Sequence, residues 1–195
     1  MMKAIKWSLL AWLCVLTTTD AQAQISEIKV GVTEFDEQTT GVNWSVGFAN
    51  ENSVGINVDV IFDEPDFLKW ALSPQPYVGG LLNLEGNTSY IGGGLLWRQT
   101  LGEKFYADFS IGAVIHNGTS NIEFEGSFQD LVSRLENEIE FGSRVLFKPQ
   151  LSIGVRVNER WAGEVFFEHL SHGGVLGGPR NDGVDNIGAK IARRF

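Results

Sequence analysis

Lys104-Phe105-Tyr106-Ala107-Asp108-Phe109-Ser110-Ile111-Gly112-Ala113-Val114-Ile115-His116 decides the fold. Phe105, Ala107, Phe109, Ile111, Ala113 and Ile115 fall on one parity, and Lys104, Tyr106, Asp108, Ser110, Gly112, Val114 and His116 on the other. A period of two belongs to a β-strand whose faces meet different surroundings. The alternation returns on both sides of this stretch. In Arg144 to Asn158, Val145, Phe147, Leu151, Ile153, Val155 and Val157 oppose Arg144, Lys148, Gln150, Ser152, Arg156 and Asn158. Near the C-terminus Ile187, Ala189, Ile191 and Phe195 oppose Asn186, Lys190 and Arg194, and upstream Val54, Ile56, Val58, Val60 and Phe62 oppose Asn57 and Asp59.

Eight stretches read this way: Ser26–Phe35, Val54–Phe62, Pro76–Leu84, Ser89–Leu101, Lys104–His116, Arg144–Asn158, Trp161–His172 and Val184–Phe195. Each is long enough for a tilted strand to cross a bilayer, and an even number lets a sheet close with both termini on one side. A soluble sandwich or lipocalin-like barrel would alternate too. Charges of both signs on the less apolar face suit a small polar lumen better than a packed core. Glu164 and Glu168 are expected to pair there with Arg156, Lys190 and Arg194. Trp97, Phe105, Trp161 and Phe195 stand near strand ends, as interfacial girdles do. The fold expected is therefore all-β, an eight-stranded antiparallel transmembrane β-barrel of the outer membrane. A terminal strand ending in Phe195 resembles the signal read by the outer-membrane assembly machinery, an expected partner during insertion.

Loop lengths supply an orientation. Gly102-Glu103 and Glu159-Arg160 make tight turns, whereas Asn117 to Phe141 and Gly173 to Gly183 are long; short turns belong on the periplasmic side, and the termini with them. Val42 to Phe48 alternates like an outward extension of the first hairpin. Asp66 to Leu72, with Phe67, Leu68, Trp70 and Leu72, predicts a short interfacial helix, and Phe128, Leu131, Val132 and Leu135 recur at helical spacing in the long loop.

Residues 1–23 have the anatomy of a secretory signal: Lys3 and Lys6, an apolar stretch from Trp7 to Leu16, and Ala21-Gln22-Ala23 as the cleavage site. The barrel domain is then 24–195. Cys14, the only cysteine, leaves with the signal, so neither disulfide nor thiol chemistry is expected in the mature chain. Losing Lys3, Lys6 and Asp20 takes the formal charge from −9 to −10, which argues against nucleic-acid binding.

The chemistry lies in Glu168-His169-Leu170-Ser171-His172-Gly173-Gly174 and Asn181-Asp182-Gly183-Val184-Asp185. His169 and Ser171 share parity with Val165 and Phe167, and Asp185 with Ile187, Ala189 and Ile191, so all three polar residues fall on the apolar, lipid-facing side at the long-loop end. Polar side chains facing lipid are costly unless partnered or near the interface. Ser171 as nucleophile, His169 as base and Asp185 as orienting acid would attack an ester at headgroup depth. Backbone N–H groups at Gly173 and Gly174, with the Asn181 amide, are candidate oxyanion donors. His-x-Ser alone is a weak motif.

His172 reads as an inward, lumen-mouth residue rather than a second base, and His116 as a strand-end residue. Three histidines without a carboxylate cluster point to no metal site. Asp182 competes for the orienting role, but Asn181-Asp182-Gly183 favours turn chemistry. Arg180 reads as a solvating residue or a phosphate contact, and Glu136, Glu138 and Glu140 as a solvated loop face or a place for bridging cations.

The two site segments, with Pro179-Arg180 ahead of the second, resemble the lipid A 3-O-deacylase (PagL-type) family. So do Pro76-Tyr77-Val78-Gly79, Gly112-Ala113-Val114-Ile115-His116-Asn117-Gly118 and Phe141-Gly142-Ser143-Arg144-Val145-Leu146-Phe147. The resemblance implies a barrel whose lipid-facing Ser-His-acid triad removes the acyl chain ester-linked at position 3 of lipid A, in lipopolysaccharide, without metal or cofactor. By motif it assigns Ser171 as nucleophile, His169 as base, Asp185 as acid, and Asn181 and Gly174 to the oxyanion region. The chain departs from the family at three places: the acid is Asp185 where the best-known members have Glu, His172 stands where Asn often follows the nucleophile, and the loop between Ser171 and Asp185 is longer. A non-catalytic barrel with a structural or adhesive role, or an esterase for another membrane acyl ester, are the alternative readings.

Overall fold

The computed structural model describes residues 24–35, 53–121, 127–177 and 181–195. The expected signal segment, Val42 to Phe48 and Arg180 lie outside the described residues. The strands are β1 (Ile25–Phe35), β2 (Ser53–Phe62), β3 (Gln75–Asn83), β4 (Tyr90–Leu101), β5 (Phe105–His116), β6 (Val145–Arg156), β7 (Trp161–Leu170) and β8 (Val184–Arg194). Each pairs antiparallel with its neighbour in sequence, and β1 pairs β8, so the eight strands close into a barrel without an edge. Every expected strand is present, with ends moved by at most two residues.

Parity sorts the side chains as the alternation requires. Val32, Ile91, Leu151, Val165 and Ile191 point outward and are 58% to 62% exposed. An apolar wall continuous around a barrel belongs in lipid, where exposing it is favourable. Among the described residues no helix is long and apolar enough to cross a membrane, and the crossing falls to the strands.

The interior is polar and filled. Lys29 Nζ lies 2.8 Å from Asp108 and 2.6 Å from Glu164, and Arg98 bridges Glu27 and Asp108, each at 2.7 Å. Arg98 also stacks on Tyr106, whose hydroxyl donates to Glu164 at 2.7 Å. Glu168 is held by Lys148 at 3.3 Å, by Asn186 at 2.9 Å and by the Tyr90 hydroxyl. Lys190 reaches Asp59 at 2.7 Å. The acid partners expected from sequence are thus corrected. Glu164 stands beside Lys190 in register but bonds Lys29 of β1, on the far side of β8, Arg156 lies against Tyr106, and Arg194 is exposed. Closure of the barrel through β8 brings β1 near β7, a proximity that linear order does not reveal.

The tight-turn end carries the start of β1 and the end of β8. Between β2 and β3 a 3-10 helix, Asp66–Ala71, places Phe67 and Trp70 outward as expected, and the Trp97 indole N–H ties the turn down through the Ala71 carbonyl at 2.8 Å. In the long loop at the other end, helix α1 (Phe128–Asn137) begins with a reciprocal cap between Ser127 and Asp130. The two hydrogen bonds from Ser127 hold the Asp130 carboxyl below its ordinary range. The chain then returns over the barrel mouth, burying Ile139 and Phe141 in a cluster with Leu81, Tyr90, Val114, Leu146, Leu170 and Val184. Glu140 is buried on this return and Glu138 accepts from the Thr119 hydroxyl, so these two residues are not a solvated face.

Candidate active site

β7 and β8 pair so that His169 stands opposite Asp185. Both share the parity of the outward residues, His169 with Val165 and Asp185 with Ile187 and Ile191. His169 Nδ1 lies 2.6 Å from Asp185 Oδ1, with the imidazole 24% exposed and the carboxylate 6%. A carboxylate only accepts, so Nδ1 carries the proton and Nε2 keeps its lone pair, the tautomer a general base needs. Directly along the wall, Phe167 and Ile187 form the next outward pair and line a shallow apolar groove with Leu151, Ile153 and Val165.

Ser171 lies one residue past the end of β7, although the expected strand ran to His172. Beyond the last β8 pairing its backbone continues the β6–β7 register: Phe147 N–H donates to Ser171 O at 2.8 Å and Ser171 N–H to Phe147 O at 3.2 Å. This bridge fixes the serine on the β6 side, half-buried. Among the described residues the serine hydroxyl makes no hydrogen bond to His169, whose partner is Asp185. Apo enzymes often leave such contacts open until a reactant arrives. The Phe147 bridge was not anticipated, although its residue lies in one of the motifs quoted above.

The chain then turns sharply through Gly173 and Gly174, whose φ values of 63° and 72° are left-handed and suit glycine. Gly174 N–H donates to His172 Nδ1 at 3.2 Å, and His172 N–H donates to Asn181 Oδ1 at 3.0 Å. The Gly174 N–H is thus taken up by the buried imidazole two residues before it. Asn181 has its oxygen turned to the His172 amide, which leaves its Nδ2 end as the donor. Asp182 gives its backbone N–H to Glu140 O at 3.1 Å, binding the two long connections together. Asp185, not Asp182, faces the imidazole. His116 sits at the end of β5 with Nε2 2.7 Å from Ser143 O and its ring on Phe141. Among the described residues no group of three or more His, Cys, Asp or Glu is placed to hold a metal ion.

These features define a class: an eight-stranded outer-membrane barrel with a His-acid pair on its outward wall and a serine just past the end of the same strand. The family model of lipid A 3-O-deacylase (PagL) matches residues 39–194, and the chain belongs to that family. Among solved structures, the crystal structure of the outer membrane enzyme PagL shares the fold, with a TM-score of 0.58 at 11% identity over 87% of this chain and 100% of that one. The backbone structure of Ail from Yersinia pestis, in phospholipid bilayer nanodiscs, has a TM-score of 0.49 at 11% identity over 88% of this chain and 99% of that one. No curated protein sequence matches.

Proposed function

We propose that the chain is a serine esterase that hydrolyses the acyl chain ester-linked at position 3 of lipid A. The carrying observation is the His169–Asp185 pair at 2.6 Å on the lipid-facing wall of a member of this family. Ser171 Oγ attacks the ester carbonyl while His169 Nε2 takes its proton. Asp185 holds the tautomer and stabilises the imidazolium. The tetrahedral intermediate places its negative oxygen toward Asn181 Nδ2, and collapse expels the sugar hydroxyl with the proton returned from Nε2. Water, activated by the same imidazole, then releases the fatty acid from Ser171. The groove of Leu151, Ile153, Val165, Phe167 and Ile187 offers the departing chain an apolar bed.

Reading the short turns as periplasmic supports a site in the outer leaflet, where lipid A resides. Phe195, exposed at the end of β8, suits recognition by the assembly machinery. Mass spectrometry of lipid A from cells with and without the protein tests the substrate: loss of a 3-linked hydroxyacyl chain is expected on expression. Its retention, with phospholipid hydrolysed instead, assigns the esterase to another substrate. Ser171→Ala is expected to abolish turnover in a folded barrel, and retained activity overturns the mechanism.

A further inference from the structure

Gly183 is buried beside the imidazole, yet its φ is not left-handed, unlike those of Gly142, Gly173 and Gly174. Backbone conformation therefore does not explain the glycine, although Asn181-Asp182-Gly183 reads as turn chemistry. Space does. A Cβ at this position would stand 2.8 Å from His169 Cε1, 3.2 Å from His169 Nε2 and 3.2 Å from the Leu170 carbonyl oxygen. The ring edge that carries the basic nitrogen thus rests on the bare Cα of Gly183.

Neither side of this contact is free to give. The imidazole is pinned at Nδ1 by Asp185, so tilting away from a new methyl lengthens the 2.6 Å bond. On the other side the backbone is fixed by Asp182 N–H on Glu140 O at 3.1 Å, by Gly183 N–H on Asn181 O at 3.0 Å and by the Val184–Leu170 pairing. We propose that Gly183 is a positioning residue of the active site: its missing side chain seats the His169 imidazole, with Asp185 fixing the opposite edge. The inference rests on His169 being the base.

Gly183→Ala tests it, with Gly163→Ala as the control, since no atom lies within 4 Å of a Cβ there. Turnover is measured on lipid A in detergent micelles, and folding by heat-modifiable mobility. Because a base displaced by a fraction of an ångström loses near-attack geometry, kcat is expected to fall about tenfold or more with KM within about twofold. In 15N-histidine spectra the His169 Nδ1 proton should shift in Gly183→Ala and not in Gly163→Ala. A folded Gly183→Ala barrel with kcat within about twofold of wild type overturns the proposal. If Gly183→Ala fails to fold, the double variant His169→Ala/Gly183→Ala decides: folding restored by removal of the ring supports the seat, and continued misfolding overturns it. Failure of the base reading shows separately as undiminished turnover in His169→Ala, while the proton shift still reports where the ring sits.

Discussion

Asp185→Asn is the substitution on which the proposed mechanism most directly depends. Asparagine keeps the shape of the side chain and, at 2.6 Å from His169 Nδ1, keeps a polar contact. It changes what that contact enforces. The carboxamide can donate from Nδ2, which stabilises the tautomer with its proton on Nε2, and an Nε2–H cannot accept from Ser171. It also removes the negative charge that stabilises the imidazolium. That charge acts from a carboxylate only 6% exposed, where little solvent screens it. The two losses together are expected to lower kcat by about 10³ to 10⁴, or about 4 to 5.5 kcal/mol of transition-state stabilisation. Fatty-acid release from lipid A in detergent micelles, quantified by mass spectrometry, reads the effect. Asp182→Asn serves as the comparison, since Asp182 bonds Glu140 O through its backbone N–H. A folded Asp185→Asn barrel that keeps more than about a tenth of wild-type kcat would refute the orienting role.

Two further predictions concern the barrel itself. Val165→Arg puts a charge on the outward wall, where a midplane arginine costs about 2 to 4 kcal/mol; equilibrium urea unfolding from lipid vesicles checks it, and a cost under about 1 kcal/mol contradicts a lipid-facing Val165. Lys29→Met leaves Asp108 and Glu164 without their shared cation in a buried site, so the same unfolding measurement should show a loss of about 3 to 5 kcal/mol; a neutral result would mean that the cluster reorganises around Arg98.

Strand parity was legible because it is local: a side chain two positions away shares its face whatever the rest of the chain does. Hence Phe105 to Ile115 and Val54 to Phe62 revealed the wall, and His169 and Asp185 could be placed on it. Their mutual alignment needed the β7–β8 register, which is fixed by pairing between segments and not by either alone. Three features escaped for the same reason. The Lys29–Glu164 pair spans 135 positions, the bridge of Ser171 to Phe147 follows from the β6–β7 register, and the capture of Gly174 N–H by His172 depends on a glycine turn. Val184, buried against Leu170, belongs to the long-loop cap that no alternation announced.

The filled lumen has a kinetic consequence. With Lys29, Lys148 and Lys190 locked to carboxylates inside, and Ile139 and Phe141 closing the mouth, the barrel is a solid cylinder rather than a conduit. Under the proposed function, a reactant reaches the His169 wall by sliding sideways within its own leaflet, so encounters occur in two dimensions. Their frequency follows the mole fraction of substrate among its neighbouring lipids and the lateral fluidity of that leaflet. Diluting the membrane in buffer should leave the rate per barrel unchanged, whereas diluting the substrate with inert amphiphile should slow it.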